Sequence, residues 1–552
     1  MPLLQWFQRD EDLTKAALAP YRLLEPVASL HYGEQDASNM LIHGDNLDAL
    51  KALLPYYAGQ VNCVFIDPPY NTLSAEMIHY DDNIEHSQWL SILYPRVQML
   101  RDLMHESASL WITVDDNESH YLKVICDEIF HRRNFLGEIA YERSGVSGLG
   151  QGGGFLVNTH ENILVYAKDK ARFKSQDLSG SGRLETKDMK RYNQVLIDPG
   201  SREEVTRFTA PSTGEDVVIY RHRGEKIATI SLRKFEERKD EILAEYVKNF
   251  DKVYRLTSVQ DENEFQNRIM GLCGSGLYSA DYLVSRGRSK GEITTTYYQS
   301  KKITVWLRDT AMVAGGEIVR TGKLSDFWAH RDIPKADLAN EGGVEFRRGK
   351  KPEALLARIL RIATKQGDIV LDSFLGSGTT AAVAHKMKRN WIGIELRDQA
   401  ETHCQKRLAG VVDGEQSGIS KLVEWTGGGG FRFYKLGPPV FDETGHIREG
   451  IKFEHLAAHI WFAETGTARS TRAKKDAFLG EHHGTGYYLL FNGILGDKSN
   501  GGGNVLTKKI LRELEPFEGP KLIYGEACLL SDDRLRELNI TFKQTPYDIK
   551  AR

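Results

Sequence analysis

The period of the apolar positions changes repeatedly between residues 39 and 168. Met40–His43 predicts a short strand ending at Gly44-Asp45-Asn46, and residues 47–57 predict a helix. Val61–Ile66 is nearly all apolar, the pattern of a central parallel strand covered on both faces. A helix over 89–103, a strand over 110–114 and a helix over 118–130 follow, then strands over 136–141 and 163–166. A glycine-rich loop, 145–154, separates those last two. Strand and helix alternating in this way argue for a doubly wound α/β sheet.

Residues 170–330 break the alternation with short strands and one amphipathic helix. Leu232, Phe235, Ile242, Leu243, Tyr246, Val247 and Phe250 share its stripe, a pattern of ordinary packing or, as a minority alternative, a dimer contact. The α/β text resumes with a helix over 352–362 that carries proline in its first turn. A strand over 368–374, a helix over 379–387 and a strand over 390–396 complete it. Residues 427–430 predict a linker, and the remainder predicts helices, a break at 501–503 and a β-like end over 540–547.

Composition narrows the class. The chain has 552 residues, 41% hydrophobic and 27% charged, which suits several globular domains rather than one. Apolar runs are too short to span a membrane, and the first residues lack a secretory pattern, so the expected location is the cytoplasm. Five scattered cysteines without a C-x-x-C pair indicate neither a disulfide framework nor a zinc site, and no metal is expected. The net charge of -3 requires any nucleic-acid face to be local. Residues 170–330 carry an excess of basic side chains; Arg286, Arg288, Lys290, Lys301 and Lys302 fall near Tyr282, Tyr297, Tyr298 and Trp306. These are candidate DNA contacts, or simply a solvated face.

Two strings carry chemistry. Asp67-Pro68-Pro69-Tyr70 follows the buried strand, at the end where a ligand crevice is expected. An exocyclic base amine is a poor nucleophile because its lone pair is delocalised into the ring. Acceptors held against its N–H groups draw the nitrogen toward tetrahedral geometry. Asp67 supplies a carboxylate, Pro68 a carbonyl, and the prolines fix the loop. Tyr70 can stack on a base swung out of the duplex. The plainer alternative is a proline-rich turn. The second string, Asp372-Ser373-Phe374-Leu375-Gly376-Ser377-Gly378-Thr379-Thr380, opens a helix, and the next strand ends at Glu395, where an acid can hold ribose hydroxyls. Its plainer alternative is a tight strand-to-helix turn. No G-x-x-x-x-G-K-[ST] string occurs, which argues against a helicase in this chain.

Asp67-Pro68-Pro69-Tyr70 ahead of Phe374-Leu375-Gly376-Ser377-Gly378-Thr379 resembles the beta group of DNA amino-methyltransferases, with the target-recognition region between. Lys351-Pro352-Glu353-Ala354-Leu355-Leu356 looks like that group's KPExLL element, which lies against the cofactor's methionine end. Gly44-Asp45-Asn46-Leu47 resembles its GDNL element, whose acid lies near the cofactor. Asp115-Asp116-Asn117-Glu118, Asp127-Glu128-Ile129-Phe130, Asn134-Phe135, His160-Glu161 and the ending Phe542-Lys543-Gln544-Thr545-Pro546-Tyr547 are similar to the modification (Mod) subunit of type III restriction–modification systems. Two departures stand out: Leu73 replaces a family glycine, and the chain is short for a Mod subunit.

The resemblance implies a mostly parallel seven-stranded, Rossmann-like methyltransferase sheet with an inserted target-recognition domain and a C-terminal α+β domain. The expected divisions are a lead-in (1–38), a catalytic half (39–168), a target-recognition region (169–330), a cofactor half (331–410) and an accessory or partner domain (411–552). Asp67, Pro68, Pro69 and Tyr70 are the candidate catalytic residues. Asp45, Asn46, Lys351, Asp372, Phe374, Gly376, Gly378, Thr379 and Glu395 are the candidates for holding S-adenosyl-L-methionine. The implied reaction is site-specific methylation of adenine N6 in double-stranded DNA with the target base flipped out. The implied assembly is a homodimer that can join a separate restriction subunit carrying nuclease and helicase parts. The alternatives are a cytosine-N4 enzyme, an RNA methyltransferase, and a DNA-recognition scaffold for a nuclease with weak or lost methylation. His160-Glu161 is expected to be a structural pair, and Asp115-Asp116 a strand-end pair capping the next helix.

Overall fold

The computed structural model describes residues 3–70, 85–143, 158–175, 179–183, 186–285, 291–314, 316–321, 325–333, 338–346, 349–441, 447–470, 474–499 and 501–545. Leu73, the loop 145–154, Arg286, Arg288, Lys290 and the closing Pro546-Tyr547 lie outside the described residues. Contacts divide the chain into two units, residues 1–176 with 326–552, and residues 177–325.

The first unit is built on an eleven-stranded sheet. Its strands are β1 (Arg22–Pro26), β2 (Tyr32–Gly33), β3 (Met40–His43), β4 (Val61–Ile66), β5 (Met104–Val114), β6 (Phe135–Glu142), β7 (His160–Ala167), β8 (Phe327–Trp328), β9 (Ile369–Asp372), β10 (Asn390–Glu395) and β11 (Gly430–Pro439). The order is β1-β11-β3-β10-β9-β4-β5-β7-β6-β8, with β2 also pairing β11. From β11 through β5 all neighbours are parallel, and β7 runs antiparallel between β5 and β6. Both faces of β4 are buried: Val64 and Ile66 join one core cluster, while the alternate residues Cys63 and Phe65 are equally hidden. Residues that alternate on a strand point to opposite faces, so apolar material must cover both.

The expected count of seven strands is corrected. The strands expected from the apolar pattern are β3, β4, β5, β6, β7, β9 and β10, which are neighbours in the sheet. The other four were hidden in segments too short or too glycine-rich to show a period. The lead-in supplies β1 and β2, and also α1 (Arg9–Leu18), which Arg9 ties to Glu128 at 2.7 Å. Residues 427–430 are not a linker, since they deliver the chain into β11, beside β3. Glycine is needed there by close approach: a Cβ on Gly430 would stand 2.3 Å from the Glu34 amide nitrogen.

The connecting helices are α2 (Asn46–Tyr57), α3 (His86–Leu103), α4 (Ser119–Phe130), α5 (Glu353–Ala363), α6 (Thr379–Lys386), α7 (Gln405–Val412) and α8 (Phe453–Thr465). Asp45 caps α2 by accepting from the Leu47 and Asp48 amides. Pro352 stands at the N-cap of α5 rather than inside it. Beyond α8 a four-stranded sheet orders Phe478–His482, Thr485–Leu489, Lys521–Gly525 and Ile540–Gln544.

The second unit holds an eight-stranded sheet, antiparallel at every step, and a three-stranded one. The expected helix covers only Lys239–Lys248; Leu232 and Phe235 join its core cluster from the preceding turn. A second helix, Glu264–Leu272, was not expected. Lys301 occupies a two-residue hairpin turn between Ile293–Gln299 and Lys302–Trp306, with φ of 49° at Ser300 and 58° at Lys301. Lys301 and Lys302 are exposed there, with no carboxylate partner among the described residues.

Candidate active site

The two strings meet because β4 and β9 are adjacent parallel strands, with Val64 opposite Leu371. Asp67 and Ser373 therefore both leave the sheet at its C-terminal edge. At this point the strand order turns back on itself, and such switch points open a crevice. The Asn46 side chain donates to the Ser373 carbonyl at 2.8 Å, which fixes the start of α2 to the same edge.

Three donors converge on one oxygen of Asp67. Its Oδ1 accepts from the Tyr70 hydroxyl at 2.8 Å and from the Thr113 hydroxyl at 2.5 Å, and lies 2.9 Å from Lys351 Nζ. Oδ2 has no hydrogen-bond partner among the described residues. The carboxylate is thus gripped on one side and available on the other. Trp89 Nε1 donates to the Pro69 carbonyl at 2.7 Å and anchors the proline turn to α3.

Lys351 is 9% exposed and bridges the halves of the site. Its Nζ donates to the Tyr70 hydroxyl at 2.7 Å and stands 3.3 Å from Glu161 Oε2. Burial pulls this ammonium down, but Asp67 and Glu161 outweigh the burial and hold it above the ordinary lysine value. It carries its charge at neutral pH. Tyr70 also donates to Glu161 at 3.1 Å, and burial, with Asp67 and Glu161, pushes its phenol well up. Tyr70 is itself buried, so stacking on a base requires its ring to be uncovered.

The glycine turn is held from below. Gly376 and Gly378 have φ of 57° and 81°, in the left-handed region that favours glycine. The Gly376 amide donates to Glu395 at 2.8 Å, and Asp372 accepts from the Phe374 amide at 2.9 Å and from Thr380 at 2.6 Å. Burial raises Glu395, and raises Asp372 to about 7 although those two hydrogen bonds oppose it. Phe374 is half-buried. The Thr379 hydroxyl accepts from Arg407 Nη1 at 2.8 Å and lies 3.1 Å from the Ser377 hydroxyl. Asp45 is occupied by its cap and by Arg96, 3.0 Å away.

Two participants escaped the sequence reading. Glu161, set aside as a structural pair with His160, is 4% exposed and reaches both Lys351 and Tyr70. Thr113 grips Asp67. Only Thr113 carried a faint signal, a polar residue inside the apolar run Leu110–Val114. Asp115 accepts from the Asn117 amide at 3.0 Å and its carbonyl accepts from the Ser119 amide at 3.1 Å, at the entrance to α4. Lys301 and Lys302 belong to the second unit.

A family described as DNA methylase matches residues 61–406, more than half of the chain. The chain is 36% identical over 440 residues to a probable type III restriction-modification enzyme HindVI Mod subunit of Haemophilus influenzae, covering 75% of this chain and 56% of that protein. It is 28% identical over 427 residues to the type III EcoPI Mod subunit of Escherichia phage P1, covering 69% and 60%. It is also 30% identical over 198 residues to the type II methyltransferase M.KpnI of Klebsiella pneumoniae, covering 32% and 46%. The chain thus spans little more than half the length of the Mod subunits it matches.

Proposed function

The chain belongs to the DNA methylase family, and on that premise we propose that it transfers a methyl group from S-adenosyl-L-methionine to N6 of adenine in double-stranded DNA. The observation that carries this reading is the Asp67 carboxylate, clamped through Oδ1 by three donors beside a glycine turn closed by Glu395. The residues suit an adenosine-bearing cofactor. Glu395 is a buried acid at the end of the neighbouring strand, and the buried Ser373 hydroxyl has no hydrogen-bond partner among the described residues. Gly376, Gly378, Phe374, Asp372 and Glu395 would hold the adenosine part, with Asp45 and Asn46 at the start of α2. S-adenosyl-L-methionine, when bound, supplies an electrophilic methyl group on a sulfonium.

The chain's own residues position and activate the amine. Asp67 Oδ2 accepts one N–H of the flipped base and the Pro68 carbonyl accepts the other. Lys351, Thr113 and Tyr70 keep the carboxylate from turning, so little reorganisation is needed as the nitrogen becomes tetrahedral. The proton lost from the amine leaves along the Asp67 hydrogen bond. The exposed Lys301 and Lys302 would grip phosphates. The kinship with Mod subunits supports a modification role in a restriction–modification system, as a homodimer able to join a separate restriction subunit. The seven neighbouring strands β3–β7, β9 and β10 are read as the methyltransferase core.

The test is Asp67→Ala with radiolabelled cofactor and DNA. Methyl transfer should fall by about 1000-fold or more, while cofactor affinity in equilibrium dialysis stays within about threefold of the parent. Undiminished transfer would remove Asp67 from the reaction.

A further inference from the structure

A second site lies in the first unit, away from the carboxylate cluster. A cavity of about 700 Å³ is bounded by β1, the start of β3, the end of α2, β11 and α8. Met40, the first residue of β3, lines it. The catalytic strings leave the sheet at the opposite, C-terminal ends of the parallel strands. Tyr56, Tyr57 and Tyr434 contribute aromatic wall, and Arg432, Arg469 and Glu454 contribute charge.

The two arginines are the anomaly. Arg469 is 7% exposed, and among the described residues its guanidinium makes one hydrogen bond, from Nη2 to the Lys474 carbonyl at 3.0 Å. Its Nε is buried without a partner, and no carboxylate lies within ion-pair distance among the described residues. The Nε of Arg432 is likewise buried and unpartnered, with the guanidinium 5.7 Å from the centroid of the Tyr434 ring. Other cations of the cavity are satisfied, Arg22 by Asp48 at 2.7 Å and Lys475 by Glu454 at 3.2 Å. An unpaired buried charge is costly, and Arg469, with the partly buried Arg432 lining the same cavity, calls for an anion. Burial also pulls Arg469 below the ordinary arginine value, opposed only by Tyr56.

We propose that this cavity binds a small phosphate-bearing aromatic ligand of the nucleotide class. Guanidinium forks match phosphate oxygens, and tyrosine rings offer faces for a base. The volume lies in the range of small-molecule sites, roughly 300–1000 Å³.

Isothermal titration calorimetry of the full chain, saturated with S-adenosyl-L-homocysteine to fill the strand-end site, tests this with AMP, ATP and inorganic phosphate. A nucleotide should bind, at least about tenfold more tightly than phosphate alone. Arg469→Gln and Arg432→Gln should each weaken it by about tenfold or more. Arg432 is only partly buried, so its variant keeps the test valid if Arg469→Gln fails to fold. Absence of nucleotide binding at millimolar concentration, affinity unchanged in Arg432→Gln, or phosphate binding as tightly as AMP would each overturn the proposal.

Discussion

At the scale of single residues, the site turns on how one buried lysine is balanced. Lys351 faces two carboxylates, Asp67 and Glu161, and both raise its pKa against the pull of burial. Glu161→Gln removes one of them. Activity should drop about tenfold or more, and the alkaline limb of the pH–rate profile should move to lower pH, because the ammonium becomes easier to deprotonate. A loss of amplitude with no movement of that limb would mean Glu161 serves packing alone. Asp372 makes a different pH statement. Its folded pKa, raised to about 7 from 3.8, means the folded chain binds more protons than the unfolded one between those values. Its contribution to stability is therefore full below the lower value and is lost as pH rises through the upper one. Asp372→Asn, which imitates the neutral acid, should gain stability relative to the parent between pH 5 and pH 8 in urea titrations. A constant difference would contradict the assignment.

At the scale of elements, the glycine turn is pinned by a buried ion network. Arg407 Nη1 reaches Thr379 at 2.8 Å and the Ser377 carbonyl at 3.3 Å, while Nη2 pairs with Glu353 at 2.8 Å. Lys386 pairs with the same glutamate at 2.8 Å but touches no atom of the turn. Arg407→Met and Lys386→Met should each cost about 3–5 kcal/mol, as breaking a buried pair does. Only Arg407→Met should also weaken cofactor affinity by about tenfold or more. Equal cofactor affinity in the two variants would separate the network from the turn. This contrast shows what could be read from sequence. The strings at Asp67 and Phe374 were legible because each is a short contiguous run, and the β4 run was legible because burial on both faces demands continuous apolar text. Arg407, Glu353 and Lys386 were not, since a buried cation and an exposed one look alike until the chain folds. The strands β1, β2 and β11 were also missed. β1 and β2 are short, and β11 opens from a run of glycines, so none shows a clear side-chain period.

At the scale of the whole molecule, the methylase text is divided by an antiparallel unit, residues 177–325, whose hairpin tip carries the exposed pair Lys301 and Lys302. If these lysines meet phosphates, Lys301→Ala/Lys302→Ala should weaken DNA binding similarly on all sequences. It should also reduce the slope of log affinity against log salt by about 2. An unchanged slope would return the tip to the role of a solvated surface. In the proposed reaction the clamped Asp67 carboxylate, beside the glycine turn, holds adenine N6 for methyl transfer from S-adenosyl-L-methionine. The most direct test is mass spectrometry of nucleosides from DNA incubated with the purified chain and S-adenosyl-L-methionine. The account predicts N6-methyladenine from the parent and none from Asp67→Ala. N4-methylcytosine as the product, or equal N6-methyladenine from both proteins, would contradict it.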